Sequence, residues 1–311
     1  MNISLECQAK DTPIEKIIHE YNVFLTNIGG LSTSTCLYRQ YYAREFLKKT
    51  FGNHHLSYEK LTPEKIVKYI GTYAKRYKKT TIKRFTCSIR SFLKFLQFKG
   101  YCDASLAISV PKIATWKLST IPECLDENKI NILLSIFDNS SVIGKRDLAI
   151  ARCLVDIGLR CSEVANFKLE DINWRTNTIE IKKSKMHRAD LLPIPNTLLK
   201  ALVDYLKNAR PQTLERYVFV HYRAPFGKKI SSDTVRNIIR RAYKKSKFSE
   251  KLTGTHILRK SMATLMLKNG ATLKQIADVL RHRCIDTTMI YTKVNMAQLT
   301  KVALPCYGRI S

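Results

Sequence analysis

The apolar residues of this chain keep a helical period almost throughout and switch to strict alternation in one place only, which restricts the fold to a mainly helical one with a small sheet. The segment "DTPIEKIIHEYNVFLTNIGG" sets Thr12 as a cap before Pro13, places Ile14, Ile17, Ile18, Tyr21 and Leu25 on one face, and stops at Gly29-Gly30. A second helical pattern runs through "TCLYRQYYAREFLKKT", and a third repeats the Thr-Pro-Glu start in "LTPEKIVKYIGTYAKR". The fourth takes Thr80 or Thr81 as its cap and ends at Gly100. These patterns predict an all-helical first domain over residues 1–102.

From Asp103 to Cys124 the periodicity fails, and Pro111 and Pro122 punctuate it, which suits an extended linker over 103–124. Beyond it, "GKRDLAIARCLVDIG" reads as a buried helix ended by Gly158, followed by a helix capped by Ser162 with Glu163 in its first turn. The alternation then appears in "NTIEIKKSKMHRADLLPI", around Ile179 and Ile181, breaks between Ser184 and His187, and resumes toward Leu192 and Ile194. That is a hairpin with Lys185 in or beside its turn. Helices return in "NTLLKALVDYLKNAR", "SSDTVRNIIRRAYKKSK", "THILRKSMATLMLKNG" and "TLKQIADVLRH", with the short apolar run "YVFV" between the first two. The expected fold class is therefore mainly α with a small β-sheet (α+β), the second domain filling residues 125–311. Its tail, 295–311, offers Asn295 as a cap and Met296, Leu299 and Val302 or Ala303 along one side before Pro305.

Charge narrows the partner. Lys and Arg number 54 against 25 Asp and Glu, a formal charge of +29, and such a field draws polyanions. No acid occurs between Glu64 and Asp103, while Lys75, Arg76, Lys78, Lys79, Lys83, Arg84 and Arg90 do. They interleave with Ile82, Phe85, Ile89 and Phe92, giving a helix with one apolar and one cationic face. A lone lysine-rich face would be simple solvation, but a second basic block follows at Arg236, Arg240, Arg241 and Lys244. Double-stranded DNA is the expected partner. Nine scattered cysteines without a C-x-x-C pair argue against a disulfide framework or a zinc site. No apolar run approaches a membrane span of roughly 20 residues, and the N-terminus lacks a signal-peptide plan, so a cytoplasmic protein without membrane contact is expected.

Breaking a phosphodiester with a phenol sets definite requirements. The pentavalent transition state gains charge on its non-bridging oxygens, which planar guanidinium groups match, and the leaving 5′ oxygen needs a proton that a lysine or histidine supplies. No metal ion or other cofactor is required if those cations suffice. The chain offers such a set in order: Arg160 in "GLRCSEVANF", Lys185 in "KSKMH", His256 and Arg259 in "THILRKS", then His282 and Tyr291 in "HRCIDTTMIYTKV". His256 and Arg259, three apart on a helix, point from one face.

These motifs resemble those of the tyrosine recombinase (phage-integrase, Xer-like) family over essentially the whole chain. The resemblance implies a site-specific recombinase that cleaves and rejoins DNA through a 3′-phosphotyrosine, exchanging strands within a tetramer assembled on two sites through the C-terminal tail, as in the integration of mobile elements. It makes Tyr291 the nucleophile, Arg160 and Arg259 the phosphate clamps, Lys185 the general acid, His256 a proton acceptor or phosphate donor, His282 a phosphate ligand and Glu163 a supporting residue. Asp171 in "LEDIN" reads as structural. There are departures: Ser184 and Met186 flank Lys185 where glycines are common, Lys182 and Lys183 compete with it, Lys260 replaces a frequent histidine, and Arg281 stands where glycine usually precedes the histidine. Two rivals are a transcription regulator using "TLKQIADVLRH" as part of a helix-turn-helix, which leaves Arg160, Lys185 and Tyr291 unexplained, and a type IB topoisomerase, which relaxes DNA as a monomer.

Overall fold

In a computed structural model, residues 12–52, 56–114, 123–182, 189–248, 252, 254–281 and 288–289 are described. The contacts divide the chain into residues 1–117 and 118–311. Four helices dominate the first unit: α1 Pro13–Asn27, α2 Thr33–Phe51, α3 Pro63–Ala74 and α4 Lys79–Phe98. Two of them begin alike for the same reason. The Thr12 hydroxyl accepts the Glu15 N–H at 3.3 Å and the Thr62 hydroxyl accepts that of Lys65 at 3.4 Å, each followed by a proline whose missing N–H costs the helix nothing.

Tyr21, Phe46, Phe85, Phe92 and Phe95 are buried between these helices, with Tyr21 edge to face against Phe92 at 5.1 Å and Phe85 stacked on Tyr73 at 3.8 Å. The Tyr21 hydroxyl is not left dry, because it donates to Ser91 Oγ at 2.9 Å.

Two expectations for this unit change. Helix α4 begins at Lys79 with Lys78 in the capping position and no side-chain cap bond, rather than at a cap on Thr80 or Thr81. Its large buried face fixes the start instead. The segment read as extended linker contains a short helix, α5 Ala104–Ser109, which buries Leu106 and Ala107 in the first core together with Val110.

The second unit has α6 Glu127–Ser135, α7 Val142–Val155, α8 Cys161–Asn166, a three-stranded antiparallel sheet, α9 Asn196–Asn208, α10 Ser232–Lys245, α11 His256–Lys268 and α12 Leu273–Leu280. Helix α7 is central: α9 lies along it, and α6, α8, α10 and α11 also touch it. The sheet order is β1 Ile172–Asn173, β2 Thr178–Lys182, β3 Ala189–Pro193. The register sets Ile179 opposite Leu192, both buried, and Glu180 opposite Leu191, which is exposed, so the alternation gives the sheet one inner face. The turn expected to carry Lys185 lies outside the described residues. "YVFV" contributes two isolated bridges, Lys168 with Tyr217 and Val220 with Lys229. Helix α8 starts one residue before the expected cap: Arg160, not Ser162, occupies the capping position. No described helix is long and apolar enough to cross a membrane.

Candidate active site

Helix α7 ends in a left-handed turn at Gly158, φ 60°. A Cβ there would lie 2.8 Å from Met262 Sδ and 3.0 Å from Leu280 Cδ2, so both the backbone conformation and the close side chains favour glycine. The chain turns back at once and delivers Arg160 to the start of α8. Glu163, three residues on, grips it twice: its Oε2 accepts the Arg160 backbone N–H at 2.8 Å and its Oε1 accepts Arg160 Nη1 at 2.7 Å. This is the carboxylate half of a capping box: Glu163 caps the Arg160 N–H, and the Arg160 side chain, which has no acceptor to offer in return, is held by the same carboxylate. The Arg160 side chain stays 41% exposed, so an oriented cation faces solvent.

Glu163 has a second partner. Arg281, the residue that ends α12, donates Nη2 to Glu163 Oε2 at 2.7 Å and Nη1 to the Val279 carbonyl at 3.0 Å, with its side chain only 1% exposed. Its backbone is left-handed, φ 54° and ψ 46°, a conformation that disfavours a side-chain-bearing residue by roughly 1–2 kcal/mol. Burial pushes the Glu163 carboxyl up, but the Arg281 charge and the bonds from Arg160 outweigh it and hold its pKa below the ordinary carboxylate value. Burial pushes Arg281 down, yet arginine starts so far above neutrality that it stays charged.

Helix α11 brings the next two residues. Arg259 is buried and donates Nη1 to the Gly158 carbonyl and Nη2 to the Leu280 carbonyl, which ties the turn before Arg160 to the turn before Arg281. One step before the helix, Thr255 Oγ1 meets Cys161 Sγ at 2.8 Å. His256, the first helical residue, is exposed. Partial desolvation, then the charges of Arg259, Lys260 and Arg160, push its imidazole below the ordinary value, so it is neutral at physiological pH and available to accept a proton.

Arg160, Glu163, His256 and Arg259 are thus drawn into one cluster, while Lys185, His282 and Tyr291 lie outside the described residues. Asp171 pins the base of the hairpin: it accepts the Lys168 N–H at 2.9 Å and Lys182 Nζ at 2.9 Å. Lys182 thus has an ion-pair partner, although its side chain stays 60% exposed.

The basic residues separate by surroundings. Lys75, Arg76, Lys78, Lys79, Lys83 and Arg84 are exposed where α3 ends and α4 begins, with Arg84 lying 4.8 Å over the Tyr38 ring. Arg90 is half-buried and donates to the carbonyls of Val110 at 2.8 Å and Pro111 at 3.1 Å. On α10, Arg236, Arg240, Arg241 and Lys244 are exposed opposite buried Val235, Ile238, Ile239 and Ala242. Arg236 leans on Asp233 and Arg240 on Asn237.

Sequence reasoning noted Arg281 only as a departure and passed over Cys161 and Thr255. The signal available for the first was the departure itself, an arginine where the motif usually has glycine before His282.

Comparison with known proteins completes the assignment. The phage integrase family matches residues 123–298, and the N-terminal SAM-like domain of phage integrases matches residues 18–100. The chain is 33% identical over 304 residues, 98% of its length and 74% of the relative's, to y4rA of Sinorhizobium fredii, described as an integrase/recombinase. It is 28% identical over 298 residues to the tyrosine recombinase XerD of Staphylococcus saprophyticus, covering 93% of this chain and 97% of that one. Its fold is shared by the lambda integrase tetramer bound to a Holliday junction, with TM-score 0.71 at 15% identity over 92% of this chain and 80% of the other. The chain belongs to the phage integrase family, the tyrosine recombinases. It is an enzyme that cleaves and rejoins DNA at specific sites.

Proposed function

We propose that Tyr291 attacks the scissile phosphorus and forms a 3′-phosphotyrosine while the bond from phosphorus to the 5′ oxygen breaks. Lys185 protonates the departing 5′ oxygen, and His256, neutral at physiological pH, accepts the phenolic proton. Arg160, Arg259 and His282 neutralise the charge that grows on the non-bridging oxygens. The covalent ester conserves the energy of the broken bond, so a 5′ hydroxyl from a second duplex reverses the step and completes the exchange without a nucleotide cofactor.

The observation that supports this reading best is the oriented, half-exposed Arg160 guanidinium, held on both its main chain and side chain by Glu163, in one cluster with His256 and Arg259. Residues 1–102 and the exposed cations of α4 and α10 supply phosphate neutralisation, so affinity falls steeply with salt and sequence choice rests on a few groove contacts. Self-association through residues 295–311 on paired sites accords with the tetramer recorded for lambda integrase on a Holliday junction.

The test uses binding sites selected by the protein from random-sequence DNA. Two copies on separate duplexes should yield recombinant products, and truncation after Lys293 should abolish synapsis while leaving single-site binding intact. Relaxation of supercoiled DNA without exchange would instead support topoisomerase action by a monomer.

A further inference from the structure

We propose that Arg281 is a positioning residue of the cleavage reaction, locking the Glu163 carboxylate so that Arg160 is held ready for the phosphate. The proposal rests on the reading of Arg160 as a phosphate clamp. Its grounds are geometric. Glu163 has two oxygens and three donors around them: Oε1 takes Arg160 Nη1, and Oε2 is shared between the Arg160 N–H and Arg281 Nη2. A carboxylate with one oxygen pinned from two sides cannot rotate, and the other oxygen then stays aimed at Arg160. Without Arg281, only Arg160 itself would orient the group meant to orient it.

The surroundings of Arg281 show that the contact is built at a disadvantage. Its side chain is 1% exposed, its Nε has no hydrogen-bond partner among the described residues, and its backbone occupies the left-handed region. A buried guanidinium on a left-handed backbone is unfavourable by itself, and the charge-assisted bond to Glu163 offsets that cost. The Asp190 carboxylate at the start of β3 also favours the Arg281 charge, so the network reaches the strand that follows Lys185. The Leu280 carbonyl, one residue back, is held by Arg259. Arg281 therefore stands at one of the two turns that Arg259 ties together, the other leading to Arg160, and immediately before His282.

The test is single-turnover cleavage of a nicked duplex carrying the selected site, with DNA affinity measured alongside. Arg281→Gly suits the left-handed backbone and removes the guanidinium, and Arg281→Met keeps the stem. Both should bind DNA within about twofold of wild type and cleave more slowly by a factor on the order of 10 to 100, the scale at which small misplacements act. Arg281→Lys, which can still place one donor on the carboxylate, should recover part of the rate. In an Arg160→Ala background the further loss from Arg281→Gly should fall below about twofold, because a positioning residue has nothing left to position. Full cleavage by both Arg281→Gly and Arg281→Met, an equal loss in the two backgrounds, or a parallel loss of DNA binding would overturn the proposal. If Arg160→Ala itself cleaves at the wild-type rate, the reading of Arg160 as a clamp fails and takes the proposal with it, an outcome distinct from loss in Arg160→Ala without loss in Arg281→Gly.

Discussion

Cys161 Sγ and Thr255 Oγ1 lie 2.8 Å apart in the buried interior, joining the residue after Arg160 to the residue before His256 across 94 positions of chain. The contact joins two helix starts, α8 and α11, beside the proposed clamp and the proposed proton acceptor. Burial pushes the Cys161 thiol up, so it stays a thiol and not a reactive thiolate.

Thr255→Val keeps the side chain's shape and removes its oxygen. The variant should lose about 1 kcal/mol of stability, the usual value of one buried hydrogen bond, read from urea unfolding of the full chain. Cleavage should fall with it, whereas Cys161→Ser, which can still bond, should retain most of the rate. Loss of stability with no change in cleavage would show that the two helix starts are spaced by other contacts.

The proposed role of His256 as proton acceptor sets an expected pH dependence of cleavage. Its pKa is lowered by partial desolvation and by Arg259, Lys260 and Arg160, which extends the neutral form below the ordinary imidazole value of about 6.5. A proton acceptor must be neutral, so the rate should hold as pH falls through that value and decline only below it. Lys260→Met, removing one of the cations, should move the decline upward. A wild-type decline above the ordinary value, or no movement with Lys260→Met, would contradict the role given to His256.

The sequence made the helices legible wherever cap and periodicity agreed, as at Thr12-Pro13 and Thr62-Pro63. It misplaced starts that depend on tertiary contacts. Lys79 opens α4 without a side-chain cap because the buried face, not the terminus, fixes that helix, and Arg160 takes the capping position because Glu163 reaches back to its N–H. Helix α5 has six residues, too few for a period to declare itself. Among the site residues, motif order brought Arg160, Glu163, His256 and Arg259 to notice, but the Arg281–Glu163 pair joins positions 118 apart and only the fold reveals it.

Of the three hairpin lysines, Lys182 has a partner among the described residues, which favours a neighbour as the proposed general acid. Lys182 is engaged with Asp171, and that acid raises its pKa further, which makes it a poorer proton donor. Lys182→Ala should therefore reduce cleavage by less than about fivefold, while Lys185→Ala should reduce it by the factor of 100 or so typical of a lost general acid. Replacing the 5′ oxygen with sulfur, a leaving group that needs no proton, should restore cleavage to Lys185→Ala and leave Arg160→Ala impaired. Rescue confined to Lys183→Ala would move the assignment to that neighbour.

The central claim is that Tyr291 carries the DNA. Wild-type protein incubated with a nicked suicide duplex of the selected site should yield a denaturant-resistant complex, and protease digestion should recover a peptide containing Tyr291 bearing the 3′ phosphate. Tyr291→Phe should bind the same duplex with unchanged affinity and form no such complex. A covalent complex formed by Tyr291→Phe, or a phosphate mapped to any other tyrosine of the chain, would contradict the account.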